Sequence, residues 1–513
     1  MTPNRVVVVG LDGATFDLIE PWVGQGKLPT FEKLMRGGAW GRLKSTVPPI
    51  TPCAWSSFMT GKNPGKHGQF SFYKLNESFG LDVDWREYRT EETVWQILSR
   101  EGKRCCVINV PFTYPPHEVN GYMVSGFTTP SLRSNFTYPR ELKRELLRAI
   151  PEFRISEDSR YSERSEDKRR FARDIAELTG IHEKVACYLM EKEDWDFYMI
   201  TFMATDHIQH WYWKYMDESH PAYEADEEFK DKILETYVQI DSVLERLMQR
   251  LPQDSTLILM SDHGFGMYVK DFNMNQWLKE KGYLKLKRTP SSAVKGLLRF
   301  LGVTPQSVIG LALKMGIGRV ATPSPSAARG LPKRVLDSIG YTWKDIDWRR
   351  TKAYSFGYYG EIFINLKGRE TQGSVEPEEY DELREEIIAR LQTIKVTDSG
   401  ERVVDHVWKR EELYWGNKID MLPDISLCMR DYSYAAATML AFPSGKIFSP
   451  PKTLKSGEHR GHGIFLAYGG GVTKGCKIDN AEIIDLAPTI LKLMGVDIPS
   501  DMDGKVLREV VQD

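Results

Sequence analysis

The sequence predicts an α/β protein in which a doubly wound, mainly parallel sheet carries helices on both faces and has inserted cap segments. The first evidence is a set of short, continuously apolar runs, which are typical of strands buried on both sides of a sheet. These runs are Val6–Gly10, Cys105–Val110, Asp196–Thr201 and Thr256–Met260. Helical stretches lie between them, at about Phe16–Met35, Glu166–Glu191 and Glu224–Arg250. Such alternation of strands and helices is the pattern of a parallel α/β sheet.

Composition and charge exclude several classes of protein. The chain has 513 residues, which suits one large domain with insertions or two to three domains. Apolar residues make up 41% of the chain and the net charge is −2, so we expect no binding to nucleic acid. The six cysteines form no CxxC pair, and no apolar run is long enough to span a bilayer. We therefore expect a reduced, cytoplasmic setting.

Two stretches interrupt the α/β pattern and divide the chain. We predict a catalytic core formed by residues 1–270 and 351–513, with an irregular insert at about 71–92 and a basic helical cap over 271–350. Within the cap, residues 285–336 contain ten Lys or Arg and no Asp or Glu. The apolar segments of this stretch either pack on the core as cap helices or make a peripheral membrane contact beside an anionic headgroup. Both interpretations stay open.

Three aspartates come just after predicted strands, namely Asp12, Asp206 and Asp262. Ligands of a doubly wound sheet bind beyond the carboxyl ends of its strands, so these side chains can share one site. Asp12 lies between Gly10 and Gly13, which let the backbone approach a cation bound by the carboxylate. The competing interpretation is an aspartate that only closes a strand–helix turn.

Histidines accompany two of these aspartates. Asp206 and His210 share one face of a predicted helix at spacing i, i+4, which suits two ligands of one metal. Asp262 and His263 are adjacent at a strand end, and zinc and manganese both accept carboxylate with neutral imidazole. Without a metal, the same pattern describes a capped strand end with a buried histidine.

Other histidines lie in or near glycine-rich segments. In Gly457–Gly463, His459 is the better candidate for a metal ligand and His462 is its rival. His67 is expected to order the loop that follows the predicted helix beginning at Thr51. His207 is expected to point away from the candidate ligands Asp206 and His210. These assignments give each histidine either a ligand or a structural role.

A threonine at a predicted helix start is the candidate nucleophile. Thr51 suits an N-cap and Pro52 suits the first helical position, so a helix is expected here whatever its function. A hydroxyl at a helix N-terminus also lies where backbone N–H groups can receive a phosphate, and a neighbouring metal would lower its pKa. Cys53, Ser56 and Ser57 are rival nucleophiles, which lie further into the helix.

Taken in order along the chain, these motifs resemble the alkaline phosphatase superfamily. The resemblance is greatest to its type I phosphodiesterase/nucleotide pyrophosphatase branch, including bacterial and archaeal phosphohydrolase/phosphomutase-like members, and it covers nearly the whole chain. It is carried by Gly10–Gly13, Thr51–Gly61, Pro64–Gly68, Asp206 with His210, Ser261–Gly264, Gly457–Gly463, Asp485–Thr489 and Asp501–Gly504. It implies an alkaline-phosphatase-like fold and hydrolysis of phosphoric ester or anhydride bonds.

The resemblance also implies two divalent metal ions with divided duties. The ion that activates the nucleophile would be held by Asp12, Thr51, Asp262 and His263. The ion that stabilises the leaving oxygen or activates water would be held by Asp206, His210 and His459. Members of the superfamily usually use zinc (Zn²⁺), and some use manganese (Mn²⁺).

Two departures from the family pattern bear on the substrate. Pro52 stands where monoester-cleaving alkaline phosphatases carry an arginine, so a bidentate partner for a dianionic monoester is lost. Ala54 and Trp55 stand where eukaryotic nucleotide pyrophosphatases carry Asn-His, so nucleotide specificity is not implied. Asn109, at the end of a predicted strand, is a candidate donor to a phosphoryl oxygen.

We therefore expect hydrolysis of a phosphodiester or phosphoanhydride through a covalent phosphothreonine on Thr51. The expected substrate is a phosphorylated small molecule or a lipid-linked phosphate. Two alternatives stay open, a phosphomutase or phosphotransferase that uses the same site and a non-catalytic binding protein that keeps the fold. The sequence does not specify the oligomeric state.

Overall fold

The structure is a computed structural model, and it describes most of the chain. The described residues are 5–75, 81–83, 90–305, 307–308, 311, 337–396, 400–436, 442, 444–451, 454–470 and 472–511. Most of residues 306–336, which belong to the predicted basic cap, and half of the insert at 71–92 lie outside these residues.

The strands are short and spread along the whole chain. They are β1 (Arg5–Leu11), β2 (Ala39–Lys44), β3 (Tyr73–Leu75), β4 (Leu81–Val83), β5 (Cys105–Ile108), β6 (Gly121–Val124), β7 (Thr137–Tyr138), β8 (Phe197–Phe202), β9 (Ser255–Met260), β10 (Gly264–Met267), β11 (Lys270–Phe272), β12 (Ala353–Ser355), β13 (Ile362–Ile364), β14 (Val404–Lys409), β15 (Ile425–Met429), β16 (Tyr434–Ala435), β17 (Phe448–Ser449), β18 (Gly457–Arg460), β19 (His462–Gly469), β20 (Cys476–Lys477) and β21 (Ala481–Glu482).

The helices alternate with the core strands in the first half of the chain. They are α1 (Phe16–Gly24), α2 (Pro29–Gly37), α3 (Thr51–Thr60), α4 (Pro64–His67), α5 (Val94–Arg100), α6 (Leu142–Ala149), α7 (Ser165–Lys192), α8 (Ala204–Met216), α9 (Lys232–Met248), α10 (Met274–Glu280), α11 (Pro290–Phe300), α12 (Tyr380–Gln392), α13 (Arg410–Leu413) and α14 (Leu486–Leu493).

One large mixed sheet forms the centre of the fold, in the order β20-β2-β19-β9-β1-β8-β5-β6-β7. Its central strands are parallel, because β1 pairs in parallel with β8 and β9, and β5 pairs in parallel with β8 and β6. Antiparallel β19 joins β9 to β2 at one side. The predicted fold class, a doubly wound and mainly parallel sheet, is confirmed.

The sheet is covered on both faces, and β1 shows why its sequence is continuously apolar. Side chains alternate across a strand, so Val6 and Val8 join one core while Val7 and Val9 join the other. Helices α3, α5 and α14 contribute to the first core, and α1, α2, α7, α8 and α9 contribute to the second. A strand buried on both sides needs an apolar residue at every position.

The single helix predicted at about 16–35 is two helices in the structure. Helix α1 ends at Gly24, and the chain then turns through Gly26 at a φ of +71°. Pro29 begins α2 at a position where its missing N–H costs no hydrogen bond. The prediction was wrong because an amphipathic pattern continues across the turn, while the glycine and proline mark its break.

Smaller sheets lie beyond the central one. Strands β12, β13, β15 and β14 form a four-stranded sheet, β16, β11 and β17 form a second, and β10 pairs with β18. The β10–β18 pair matters for the site, because it sets Phe265 opposite His459. Within the described residues, none of the helices is long and apolar enough to cross a membrane.

Candidate metal centre and active site

Three adjacent parallel strands bring the predicted carboxylates together at their carboxyl ends. Asp12 directly follows β1, Asp262 follows β9 after one residue, and Asp206 lies in the first turn of α8, which begins two residues after β8. Strands β9, β1 and β8 are neighbours in the sheet, so these side chains meet at one edge. All three aspartates are buried.

Asp206 lies at the centre of the cluster. Its Oδ1 atom is 3.3 Å from Nε2 of both His210 and His459, and 4.0 Å from Nε2 of His263. The helical turn predicted at 206–210 is present, and it sets Asp206 and His210 on one face. The carboxylate therefore faces three imidazole nitrogens, an arrangement suited to metal ligation.

Each of the three imidazole rings is held by a backbone carbonyl. The Nδ1 atom of His210 lies 2.9 Å from the Gly457 carbonyl oxygen, and that of His263 lies 3.0 Å from the oxygen of Gly264. The Nδ1 atom of His459 lies 2.9 Å from the oxygen of Pro49. When Nδ1 donates its proton to a carbonyl, Nε2 is left with a lone pair for a metal.

Buried polar atoms without a hydrogen-bond partner converge on this cluster. In the described part of the chain, Asp12 Oδ1, Asp206 Oδ1, Asp262 Oδ2 and His263 Nε2 are such atoms. The nitrogen of His263 lies 3.5 Å from Asp12 Oδ1 and 3.3 Å from Asp262 Oδ2. Unpartnered carboxylate oxygens are expensive to bury, so this donor set fits divalent cations.

Two sets of three atoms, each within 4.8 Å of one another, could hold an ion. One set is Asp206, His210 and His459, and the other is Asp12, Asp206 and His263. Asp206 belongs to both, whereas the family resemblance implied that it holds one ion only. The cluster thus contains six of the seven predicted ligands, namely Asp12, Asp206, His210, Asp262, His263 and His459.

Burial and mutual repulsion separate the pKa values of the three carboxyl groups. Burial, with Asp262 and Asp206 nearby, raises the pKa of Asp12 well above its ordinary value. Burial likewise raises the pKa of Asp262 to about 7, although the His459 ring opposes this. For Asp206, the rings of His210 and His459 outweigh burial and hold the pKa well below its ordinary value. A bound proton or a cation must therefore balance the negative charges of Asp12 and Asp262, the two carboxyl groups whose pKa is raised.

Thr51 is the first residue of α3 and lines a cavity together with Asp206, His210 and His459. The prediction that it is the N-cap was off by one residue, because Ile50 has the extended cap conformation. The isoleucine side chain makes no cap hydrogen bond, so the first turn of the helix is left without a side-chain acceptor. This turn is therefore open to an anionic ligand.

Helix α3 is tied to the metal-capable cluster on both sides of Thr51. Before it, the Pro49 carbonyl accepts from His459, and after it, Trp55 Nε1 donates to Asp12 Oδ2 at 2.8 Å. The sequence did not single out Trp55 for this role, because a buried tryptophan ordinarily signals only core packing. Its spacing from Thr51 by one helical turn is the signal that was available.

The rival nucleophiles and histidines lie elsewhere. Burial raises the pKa of Cys53 to about 12, which makes its thiolate inaccessible near neutral pH. Ser57 Oγ is 2.9 Å from His67 Nε2, and His67 Nδ1 accepts from the backbone N–H of Gln69 at 3.1 Å. His67 therefore orders the loop after α3, as expected. His462 is exposed at the start of β19.

Asn109 and His207, which the sequence also singled out, each contact identified neighbours in the structure. Asn109 donates its amide to the Thr201 carbonyl at 2.8 Å and lies 3.2 Å from the His182 ring. The side-chain amide of Asn109 thus contacts other residues of the protein. Contact of this amide with a phosphoryl oxygen stays a prediction. His207 lies 3.2 Å from the Glu157 carboxylate, its Nε2 atom is 3.9 Å from Asp206 Oδ2, and its ring lines the cavity beside Thr51.

The cavity beside Thr51 holds one residue with a fixed positive charge among the described residues that line it, Lys455. Its Nζ atom is 3.1 Å from His210 Nε2. Burial would raise the pKa of Glu458, but the nearby Lys455, His459 and His210 lower it to about 2. Aromatic side chains form much of the remaining wall, namely Phe72, Phe127, Tyr358 and Tyr359. No sequence motif marks Lys455, so it was not predicted as a site residue.

A mainly parallel sheet whose strand ends gather Asp and His side chains beside a helix-starting threonine is the architecture of the alkaline phosphatase superfamily. Residues 6–441 match the family model of type I phosphodiesterase/nucleotide pyrophosphatase. The chain belongs to this family, and it is a hydrolase of phosphoric ester or anhydride bonds.

Solved structures share the fold at low sequence identity. Phosphonoacetate hydrolase from Sinorhizobium meliloti 1021, in complex with phosphonoacetate, matches with a TM-score of 0.56 and 13% identity, covering 96% of each chain. Human ectonucleotide pyrophosphatase/phosphodiesterase 5 matches with a TM-score of 0.50 and 14% identity, covering 98% of this chain and 97% of its own. No curated protein matches the chain in sequence. At these identities the structural likeness establishes the fold alone.

Proposed function

We propose that the chain cleaves a phosphodiester or phosphoanhydride bond by attack of the Thr51 hydroxyl on phosphorus. The P–O bond to the leaving group breaks as the Thr51 Oγ1–P bond forms, and water then hydrolyses the phosphothreonine. The main support is the convergence of four unpartnered buried polar atoms around Asp206, which lines the same cavity as Thr51. An arrangement this costly is explained by a function that uses it.

The donor set fits two divalent cations, zinc in the first place and manganese as the alternative. When bound, such ions would lower the pKa of the Thr51 hydroxyl and neutralise charge on the phosphoryl and leaving oxygens. We assign one ion to Asp12, Thr51, Asp262 and His263, and the other to Asp206, His210 and His459. Because the Asp206 carboxylate belongs to both clusters, it would border both ions.

The chain's own residues orient the attack. Ile50 cannot cap α3, so the N–H groups of its first turn can receive a phosphoryl oxygen. The contacts of Pro49 with His459 and of Trp55 with Asp12 fix this turn against the cluster. Lys455, on the cavity wall, would donate to a second phosphoryl oxygen. These groups position phosphorus in line with the Thr51 hydroxyl.

The surroundings of Thr51 favour diesters or anhydrides over monoesters. Pro52 supplies no guanidinium for a dianionic phosphoryl group, and it has no N–H of its own. The aromatic cavity wall provides apolar surface for an organic substituent on phosphorus. We propose a phosphorylated small molecule or a lipid-linked phosphate as substrate, a cytoplasmic location, and no binding to nucleic acid.

Metal content measured together with hydrolysis of two chromogenic substrates tests this function. The purified chain is assayed with bis-p-nitrophenyl phosphate and p-nitrophenyl phosphate, and Thr51→Ala is the matched variant. We expect two bound ions, faster cleavage of the diester, and loss of turnover in Thr51→Ala with metal content unchanged. Full activity in Thr51→Ala would refute the nucleophile, and a protein that binds no metal would favour the non-catalytic alternative.

Product analysis separates hydrolysis from the second candidate, a phosphomutase or phosphotransferase. Both routes pass through phosphothreonine and differ only in the acceptor of the phosphoryl group. With a phosphorylated substrate in ¹⁸O-labelled water, hydrolysis places the label in the released phosphate product. Unlabelled product formed only when an alcohol acceptor is present would identify a transferase.

A further inference from the structure

Helix α11 has its amphipathic character reversed. The two buried residues of the helix, Ser292 and Lys295, are polar, and Arg299 is half-buried next to the half-buried Leu298. Lys295 Nζ pairs with Asp345 at 2.7 Å, and Arg299 donates to Gln276 Oε1 at 2.8 Å. An ordinary surface helix buries its apolar face against the core instead.

The opposite side of α11 exposes large apolar side chains. Val294 is 57% exposed, Leu297 is 59%, Phe300 is 87%, and Leu301 just after the helix is 64% exposed. The spacing of 294, 297 and 301 places three of them along one stripe of the helix. A contiguous apolar stripe on the surface of a water-soluble fold marks a place where an apolar partner docks.

A basic cavity lies near the C-terminal end of this helix. It has a volume of about 490 Å³, and its rim carries Lys281, Arg390, Lys395 and Lys446 with Glu280 as the single acid among its described lining residues. Arg390 is partly neutralised by Glu386 at 2.8 Å, and the three lysines are exposed. Apolar side chains complete the lining, namely Trp277, Ile394, Ile447 and Phe448. Such a cavity suits an anionic group attached to an apolar body.

The helix and the cavity are neighbours through Arg299. Its guanidinium bonds Gln276, next to Trp277 of the cavity wall, and also the carbonyl of Ser444, two residues before Lys446. Further exposed cations border the start of the helix, at Lys285, Lys287 and Arg288. An apolar stripe with clustered cations beside it is the charge arrangement of helices that lie in the headgroup region of anionic bilayers.

We propose that this face, α11 with the adjoining lysine-rimmed cavity, docks on a bilayer that contains anionic phospholipid. The apolar stripe enters the boundary between headgroups and acyl chains, and the cavity receives a headgroup phosphate. The 11-residue helix is far too short to span a bilayer, so it lies in the surface. Docking of this kind is independent of the chemistry at Thr51, because these residues and the cavity around Thr51 have no lining residue in common.

Vesicle flotation of the full chain tests the proposal. Neutral phosphatidylcholine vesicles are compared with vesicles that contain 30% phosphatidylglycerol, at about 0.1 M and 0.5 M salt, where screening differs strongly. We expect binding to the anionic vesicles only, weakened by salt. Lys281→Glu with Lys446→Glu should weaken it at least about 25-fold, since each surface lysine is worth roughly fivefold. Phe300→Ser with Leu301→Ser should weaken it at least about 10-fold.

Matched controls make both variants interpretable. Lys33→Glu on α2 and Leu132→Ser change an exposed lysine and an exposed leucine elsewhere, and they should leave binding unchanged. Thermal unfolding and hydrolysis of a soluble diester show whether each variant is folded, and neither property should change. Absence of wild-type binding, equal binding to neutral vesicles, or unchanged binding in both double variants would overturn the proposal. The proposal would also be overturned if the wild-type chain does not bind vesicles but self-associates, and if the Phe300→Ser/Leu301→Ser variant abolishes that self-association.

Discussion

Replacement of Trp55 by phenylalanine should weaken metal binding, although it leaves all the candidate metal ligands in place. Trp55 Nε1 donates to Asp12 Oδ2 at 2.8 Å, and both side chains are fully buried. Loss of a hydrogen bond to a buried charged group costs about 1.5–3 kcal/mol. If all of it falls on the metal-bound state, zinc affinity drops roughly 10- to 100-fold, which is the range known for partners that orient metal ligands.

The variant should also change the pH dependence of binding. The indole N–H lowers the pKa of Asp12, which burial and the neighbouring aspartates raise. Without this donor the pKa of Asp12 rises further, so protons compete with zinc at higher pH than in the wild type. Zinc affinity in Trp55→Phe should therefore fall more steeply as the solution is acidified. Competition with a chromophoric chelator between about pH 6 and 8 measures both effects.

A second tryptophan supplies the control. Trp95 is also fully buried, and its indole N–H donates to His117 Nδ1 at 3.0 Å, away from the cluster. Trp95→Phe removes the same atoms and a similar hydrogen bond, so it should lower stability like Trp55→Phe and leave zinc affinity unchanged. Equal zinc affinity in Trp55→Phe and the wild type would refute the role given to Trp55. Equal losses in both variants would show a general effect of unfolding.

Three further predictions concern the nucleophile, the cavity cation and acid stability. Thr51→Ser should retain phosphoenzyme formation and Thr51→Ala should abolish it, as measured by mass spectrometry of acid-quenched reactions; phosphorylation of the alanine variant at another residue would contradict the assignment. Lys455→Met should lower kcat/KM by roughly 10- to 100-fold while Lys455→Arg retains most of it, because a charge-assisted hydrogen bond is worth about 1.5–3 kcal/mol. Burial lowers the pKa of His67 to about 3. The unfolded chain therefore binds a proton below pH 6.5 that the native His67 does not, and stability falls on acidification by up to about 1.4 kcal/mol per pH unit. His67→Gln should flatten the loss of Tm between pH 6.5 and 4, and parallel curves for the two proteins would exclude this cause.

The fold could be predicted because its strands carry a strong signal. A strand such as β1 is buried on both faces, so all of Val6–Val9 are apolar and the run is readable without any tertiary information. The break between α1 and α2 was not predicted, since the amphipathic pattern passes through the turn at Gly26. Local backbone geometry decides that break, and hydrophobic period alone does not show it.

The sequence predicted which residue types form the site, but it did not predict the contacts that join them. Carboxylates after strands and paired histidines stand out in sequence, and six of them meet in the structure. The position of Asp206 between two groups depends on the packing of α8 against β10 and β18, which the sequence does not display. Trp55 and Lys455 act through contacts 43 and 245 residues away in sequence, so no local motif could reveal them.

The reversed polarity of α11 is a similar case. The sequence shows an amphipathic helix with basic residues, which normally means an apolar face packed on the core. Only the three-dimensional partners of Lys295 and Arg299 reveal that the polar face is the buried one. Packing of the cap on the core and contact with lipid both stay predictions, and vesicle flotation decides between them.

Crystals of the zinc-loaded protein would show whether the cluster around Asp206 holds two metal ions beside Thr51. Anomalous difference maps at the zinc absorption edge should show two peaks, each about 2.0–2.2 Å from its carboxylate and imidazole ligands. We expect one peak beside Asp12, Asp262 and His263 and the other beside Asp206, His210 and His459. A map without peaks at this cluster, from protein that elemental analysis shows to be loaded, would contradict it.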